Sequence, residues 1–598
     1  MGESTIAASA RRSVGARTMP EAFRLTVADH SDRVAVRTKD DEVSLTWSQL
    51  RDRVDALAGG LARLGVGRGD TVALMLGNRP EFHIADLAAM TLGATPFSIY
   101  PTFTADQTAF VAGDAGAKLA IVEEQYLGRF EVARMKLPAL ETVVVVDGAP
   151  AGTGGTVAWD DVEGADPGFD AEPHWRAAGT EDVLTLIYTS GTTGPPKGVQ
   201  LVHRNIMAAV KVADDVIDFP DAARVISWLP AAHVAERNAH HYLPIVFGMT
   251  VTCCPNPREI VAFLPTVKPT WFFAVPRIFE KLKAGLEGHL STQGEQTVAW
   301  LQAGRRKVEL EQAGEPVPED VAATAAEGEE KLFSGLRAML GLDEAISVNV
   351  GAAPTPRDVV VFFHAIGLQL GELWGMSETC GVGAVNPPGQ VRIGTVGPPS
   401  LGVETRLADD GELLVRGDVV MTGYRNQPDK TAEALDADGW LHTGDIAELD
   451  DAGYIRIVDR KKEIIINAAG KNMSPANIES ALKGAGPIIG HVAVIGDARP
   501  FNTALVVLDS DFAPAFAAQQ GIEGRTLEEL AGEEAVQAAV QAAVDKGNAE
   551  LARVEQVKKF TIVPGDWLPG GDELTPTMKL KRKPIAEKYA DVIEAMYR

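Results

Sequence analysis

The sequence predicts an α/β protein: a large N-terminal domain of layered α/β sheets with a β-rich subdomain, then a small C-terminal α+β domain. Three observations lead there. At 598 residues the chain is too long for a single hydrophobic core. Short apolar runs at Leu119–Val122, Val143–Val146, Val225–Leu229, Trp271–Val275 and Ile346–Val350 alternate with helical patterns, as buried strands of layered sheets do. A turn-rich β stretch closes at Gly453–Val458, and the charged string Asp459-Arg460-Lys461-Lys462 separates it from a second set of strands and helices.

Taken in order, residues 1–20 read as a flexible tail and 21–458 as the large domain. Thr46-x-x-Gln49 predicts a capping box. Leu50, Val54, Leu57, Leu61 and Leu64 continue from it at helical spacing, up to the glycine-rich stop Gly65-Val66-Gly67-Arg68-Gly69. Thr71–Leu76 predicts a strand, followed by a helix opening near Pro80. Residues 281–340, rich in Ala, Glu and Lys, read as exposed inserted helices, a solvated cover that lies where it could also line a substrate entrance. Residues 463–598 carry strand-like runs at Ile464–Ile466, Val492–Ile495, Ala504–Leu508 and Phe560–Val563.

Composition narrows the function classes. The 45% hydrophobic and 23% charged content is ordinary for a globular enzyme. A formal charge of −26 without a dense basic block argues against nucleic acid, leaving only a local patch for peripheral membrane contact. The longest uncharged stretch, between Asp86 and Asp106, is broken by Gly93, Pro96 and Pro101 into short elements rather than a transmembrane helix, and no secretory h-region follows the N-terminal arginines. Cys253, Cys254 and Cys380 have neither zinc nor disulfide spacing, which fits a reduced, cytoplasmic protein.

The most informative stretch is Tyr188-Thr189-Ser190-Gly191-Thr192-Thr193-Gly194-Pro195-Pro196-Lys197-Gly198. The apolar run Val183–Ile187 leads into it, so it reads as a loop leaving a buried strand. Its hydroxyls, glycine N–H groups and lysine suit a polyphosphate. It is not a Walker A loop, because Lys197 is followed by Gly198 rather than Ser or Thr. Gly375-Met376-Ser377-Glu378-Thr379 likewise fails the G-x-S-x-G hydrolase pattern at its last position. His240-His241 has no carboxylate or Cys partner at ligand spacing.

Together with Trp374–Thr379, Gly439-Trp440-Leu441-His442-Thr443-Gly444-Asp445, Asp459–Lys462 and Thr575-Pro576-Thr577-Met578-Lys579, the loop resembles the adenylate-forming superfamily of acyl-CoA synthetases, luciferase and peptide-synthetase adenylation domains. The likeness spans Leu45 to the C-terminus, with the motifs in family order. It implies that a carboxylate attacks the α-phosphate of ATP to give acyl-AMP and pyrophosphate, and that CoA then displaces AMP.

By that resemblance, Thr189, Ser190, Gly191, Thr192, Thr193 and Lys197 hold the β- and γ-phosphates. Glu378 coordinates Mg²⁺ and Thr379 meets phosphate. Gly351, Ala352, Ala353 and Pro354, with Trp374, Gly375, Met376 and Ser377, form the adenine side, Trp374 standing where the family more often has Tyr. Asp445 takes the ribose hydroxyls, assisted by Arg460. Lys579 is the catalytic lysine, preceded by Met578 rather than the usual Gly; a merely basic surface cluster with Lys581, Arg582 and Lys583 is the alternative. Lys462, within the 459–462 linker, is the hinge about which a mobile C-terminal domain turns. Gly470 and Lys471 lie on the expected CoA side, where the spacing from Arg460 is one residue longer than usual.

Leu229–Arg237 and Lys268–Lys281 resemble the long-chain fatty acid–CoA ligase branch. His233 there gates the acyl pocket, lines the thiol path, or is a hydrogen-bonded core residue. A carrier-protein acceptor, a sterol or branched acid, and a lipid-binding protein with an inactive site are the competing readings. Homodimerisation is an expectation by analogy with the branch.

Overall fold

The computed structural model describes residues 11–148, 154–189, 195–468 and 471–598. Its first sheet is wholly parallel, in the order Thr95–Ser98, Thr71–Met75, Ala117–Val122, Thr142–Val145, Thr156–Ala158. Every residue of Thr71–Met75 is buried, which is why the run carries no polar alternation. A second sheet runs Arg224–Ser227, Thr250–Cys253, Val34–Thr38, Ser44–Thr46, and a third runs Trp271–Ala274, Ser347–Val350, Leu370–Trp374, Ala384–Val385. Thr270 N–H donates to the Arg224 carbonyl at 3.0 Å and stitches the second sheet to the third. The helix Trp47–Arg63 starts on the expected Thr46/Gln49 capping box and buries Leu50, Val54, Leu57 and Leu61.

The β-rich part is an antiparallel sheet of Val403–Leu407, Glu412–Gly417, Leu441–Leu449 and Ile455–Arg460. Beyond it the small domain is built on Ile489–Ile495, Asn502–Leu508 and Val557–Ile562. Its central strand is buried on both faces. Ala504, Val506 and Leu508 join a core with Ile478, Leu482 and Val540. Leu505 and Val507 join another with Trp567, Leu574 and Ile593. Neither core merges with that of the large domain, so the small unit is a separate lobe. The layered α/β architecture with a small C-terminal α+β lobe is therefore as the sequence predicts.

Two expectations change. The segment 11–20 is not a loose tail. Arg12–Gly15 forms a 3₁₀ turn and Met19–His30 a helix. Ser13 Oγ donates to the Val246 carbonyl at 2.6 Å, and Met19 N–H donates to His203 Nδ1 at 3.2 Å. Ala16 and Met19 also join the main core and Val14 packs on it, but these scattered apolar residues form no spacing that marks the docking. The inserted region, for its part, is not a solvated cover. Its helices begin at Pro276, and Phe279, Leu286, Leu290, Phe333, Leu336 and Leu340 lie in the main core while the charged faces point outward.

Candidate active site

The phosphate-type loop joins the antiparallel strands Val183–Thr189 and Lys197–Val202, so Thr189 ends one strand and Lys197 begins the next, opposite each other in register. Ser190, Gly191, Thr192 and Thr193 lie outside the described residues. The base of the hairpin is fixed by Tyr188, whose hydroxyl donates to Asp114 Oδ2 at 2.8 Å. Burial drives the Tyr188 phenol pKa upward, reinforced by Asp114, so the hydroxyl stays a donor. Lys197 Nζ lies 4.1 Å from the centroid of the Tyr424 ring. Burial lowers its pKa, against the opposing pull of Glu378.

Glu378 sits on the short 3₁₀ turn Ser377–Thr379. The turn is tight: Thr379 Oγ1 accepts the Met376 N–H at 3.1 Å, and Gly381 N–H donates to the Met376 carbonyl at 2.8 Å. Gly375 passes so close to the Gly381 backbone that a Cβ there would lie 2.2 Å from its carbonyl oxygen; no side chain fits. The Glu378 side chain is buried, and its Oε1 accepts the Tyr424 hydroxyl at 2.8 Å. Among the described residues no group of three or more His, Cys, Asp or Glu could hold a metal ion. A single carboxylate suits Mg²⁺ that takes its remaining ligands from substrate phosphates and water.

Trp374 ends the strand Leu370–Trp374, and its indole N–H donates to Asp445 Oδ2 at 2.8 Å. The other carboxylate oxygen, Oδ1, receives Arg460 Nε at 2.7 Å. Asp445 and Arg460 face each other across the Leu441–Leu449 and Ile455–Arg460 ladder, so sheet register sets this pairing. Burial raises the Asp445 pKa, and Arg460 opposes it. Each oxygen keeps a second lone pair for a further donor. Gly383 lies against the Trp374 ring, where a Cβ would come within 2.4 Å of a ring carbon. Gly351 follows the strand Ser347–Val350 and packs on Leu373; Ala352 has φ +69°, and Ala353 and Pro354 continue the turn.

The small lobe brings Lys579 to this cleft. Its side chain is open to solvent yet walled by protein. That desolvation lowers its pKa, with Arg460 adding to the effect and Asp445, Glu378 and Glu463 opposing it. Its basic neighbours are engaged elsewhere: Lys581 Nζ donates to the Gly571 carbonyl at 2.7 Å, and Arg582 pairs with Glu463 at 2.9 Å and Glu479 at 2.6 Å. Lys579 thus separates from the basic cluster. His233 caps the helix Val234–Arg237 by accepting the Ala235 N–H at 3.2 Å. Burial, aided by Lys579, pushes its pKa to about 4, so the ring is neutral.

Lys471 is exposed, its N–H bonded to Asn467 Oδ1 at 3.0 Å; Gly470 is outside the described residues. At the linker, Lys461 Nζ reaches Asp410 at 2.5 Å and Glu412 at 2.9 Å in the large domain, while Glu463 is held by Arg582 in the small one. Lys462 stands between these two anchors.

The sequence reading missed two groups. One is Tyr424, an isolated aromatic in a turn-rich stretch with no pattern to mark it. The other is a buried polar network behind the site. Arg237, fully buried, pairs with Asp86 at 2.6 Å, and Glu236 accepts from Asn78, Ser227, the Leu229 N–H and His240. Contrary to the sequence expectation, both histidines of His240-His241 thus have a carboxylate partner, Glu236 one helical turn before His240 and Asp86 at 3.0 Å from His241. This network steadies one wall of an apolar cavity lined by Val212, Val216, Ile217, Trp271, Phe273 and Leu373 among others.

Residues 23–425 match the family described as AMP-binding enzyme, and residues 462–598 match its C-terminal domain. The chain belongs to the AMP-binding enzyme family. Among relatives of this AMP-binding enzyme, a protein of Mycobacterium tuberculosis strain H37Rv provisionally named fatty-acid–CoA ligase fadD11 is 48% identical over 74% of this chain and 79% of its own length. The long-chain-fatty-acid–CoA ligase FadD15 of the same strain is 35% identical over 92% of both chains. In fold, the enzyme is similar to the adenylation domain of a carboxylate reductase from Mycobacterium chelonae, with a TM-score of 0.77, 20% identity, and 98% and 93% of the two chains covered.

Proposed function

We propose that this AMP-binding enzyme is a long-chain fatty acid–CoA ligase acting through an acyl-adenylate. The observation that carries the proposal is the convergence of Lys579, from the small lobe, with Arg460, Asp445 and Glu378 in one cleft. Attack of a carboxylate on a triphosphate brings anion to polyanion, so the site must supply positive charge and oriented donors. Lys197 and the adjoining loop meet the outer phosphates. Glu378 holds Mg²⁺, which screens phosphate charge when bound. Asp445 accepts from the ribose hydroxyls on the lone pairs that Trp374 and Arg460 leave. Lys579 lies between the entering carboxylate and the α-phosphate. A turn of the small lobe about Lys462 would then withdraw Lys579 and admit CoA past neutral His233.

The apolar cavity and the long-chain names of the relatives support a long acyl chain. Each buried methylene adds about 0.8 kcal/mol, so an apolar wall selects length. The test is mass spectrometry of palmitate, ATP and Mg²⁺ incubated with and without CoA. Palmitoyl-AMP without CoA and palmitoyl-CoA with it are expected. The adenylate without thioester would point to a carrier-protein acceptor. Neither product across long-chain acids would overturn the acid class.

A further inference from the structure

Across the cleft from the linker, the two lobes meet through a row of alternating charges. The helix Pro276–Ser291 of the large domain presents Arg277, Glu280 and Lys281 at helical spacing. Opposite them the small lobe presents Asp509 and Asp511, just before the helix Phe512–Gln519, and Lys483 on the helix Pro475–Ala485. Arg277 pairs with Asp509, Lys281 with Asp511, and Glu280 with Lys483 at 3.6 Å; Arg277 also reaches Glu280 at 3.2 Å. Every charge on one face meets its opposite on the other.

The inner pair is not an ordinary surface ion pair. The Asp509 side chain is 7% exposed and that of Arg277 25%. Asp509 is already fixed before Arg277 arrives, because its Oδ1 accepts the Phe512 N–H at 2.7 Å and the Asp511 N–H at 3.1 Å. Only Oδ2 is turned to the other lobe. The ordering cost that weakens exposed pairs is therefore largely met inside the small lobe itself. The lobe orientation that makes these contacts is also the one that sets Lys579 beside Arg460 and Asp445.

We propose that Arg277, with Glu280 and Lys281, forms an ionic clamp on Asp509, Lys483 and Asp511 that holds the small lobe in the adenylating orientation. Arg277 is thus a positioning residue that acts on the reaction through Lys579 without touching substrate. This rests on the adenylate-forming reading above.

The test measures the two half-reactions separately: acyl-AMP formation from acid and ATP, and acyl-CoA formation from supplied acyl-AMP and CoA. Arg277→Gln should lower the first about tenfold, the scale of losing a charge-assisted hydrogen bond, and leave the second at least as fast. Arg277→Lys should recover most of the loss. Asp509→Asn keeps a capping oxygen, and combined with Arg277→Gln it should cost no more than either change alone. Equal losses in both half-reactions, or additive effects in the double variant, would overturn the clamp. Wild-type protein that forms no acyl-AMP would instead overturn the underlying reading.

Discussion

The Tyr424 hydroxyl donates to Glu378 Oε1 at 2.8 Å while the same ring lies under Lys197 Nζ at 4.1 Å. One aromatic side chain therefore orients an anion and a cation that the sequence places 181 positions apart (197 and 378). Burial, with Glu378 adding to it, drives the Tyr424 pKa upward, so the phenol remains a donor at all ordinary pH values. Tyr424→Phe keeps the ring and deletes the donor. Expected is about a ten- to hundredfold fall in acyl-AMP formation with a higher Mg²⁺ requirement, from the loss of roughly 1.5–3 kcal/mol in a hydrogen bond to a charged group. Initial rates across a Mg²⁺ titration would check this, and an unchanged Mg²⁺ dependence would refute it.

Lys579→Ala should cut acyl-AMP formation by about 10²–10³-fold, the usual cost of removing a charge-stabilising group from a preorganised site. Conversion of supplied acyl-AMP to acyl-CoA should persist. Retained adenylation would return Lys579 to the basic surface cluster.

Asp445→Asn leaves an acceptor for the Trp374 N–H but removes the charge that balances Arg460. The expected result is at least about a tenfold rise in KM for ATP, with a smaller change in kcat, as a binding group lost from ground and transition state alike gives. Isothermal titration of ATP against wild type and variant provides an independent reading.

Ala213 lines the apolar cavity beside Val212 and Val216. Ala213→Trp would fill that wall and move the preferred acid to shorter chains. At about 0.8 kcal/mol per methylene, each carbon no longer accommodated costs about fourfold in selectivity. Competition between C8 and C16 acids, read as the product ratio, tests it; an unchanged ratio would place the chain elsewhere.

His203 is buried and its pKa pushed to about 4, chiefly by burial, with Asp182 opposing. His491, likewise desolvated, falls to about 3. Near pH 5 the unfolded chain protonates these rings while the folded chain does not. Stability therefore rises with pH in this window and is lost as pH falls from about 6.5 towards 4. His203→Gln should reduce the slope of unfolding free energy against pH by close to one proton in urea titrations between pH 4.5 and 6.5. An unaltered slope would mean that His203 is protonated in the fold.

Much of this architecture is legible in local pattern. The Thr46/Gln49 box starts its helix, and the all-apolar Thr71–Met75 run is the fully buried strand it suggests. Motif residues far apart in sequence also meet, since the strand ends at Trp374 and Arg460 come together on Asp445 in the middle of Leu441–Leu449. Tyr424 and the Asp86–Arg237 pair were not legible, because their partners are set by tertiary packing and neither spacing nor composition announces them. Docking of residues 11–20 is illegible for the same reason: backbone carbonyls that accept Ser13 and Arg11 leave no trace in the side-chain pattern.

The fastening of Lys461 to Asp410 and Glu412, and of Glu463 to Arg582, leaves very little chain to twist between the lobes. A small lobe turning there would pivot like a lever on one pin, and every group it carries would arrive or depart together. Lys579 would leave the cleft with the rest of the small lobe rather than by a motion of its own side chain. A reaction with two incompatible demands on one cavity would thereby have both met by a single movement, because the shortness of the joint makes the lobe turn as one piece.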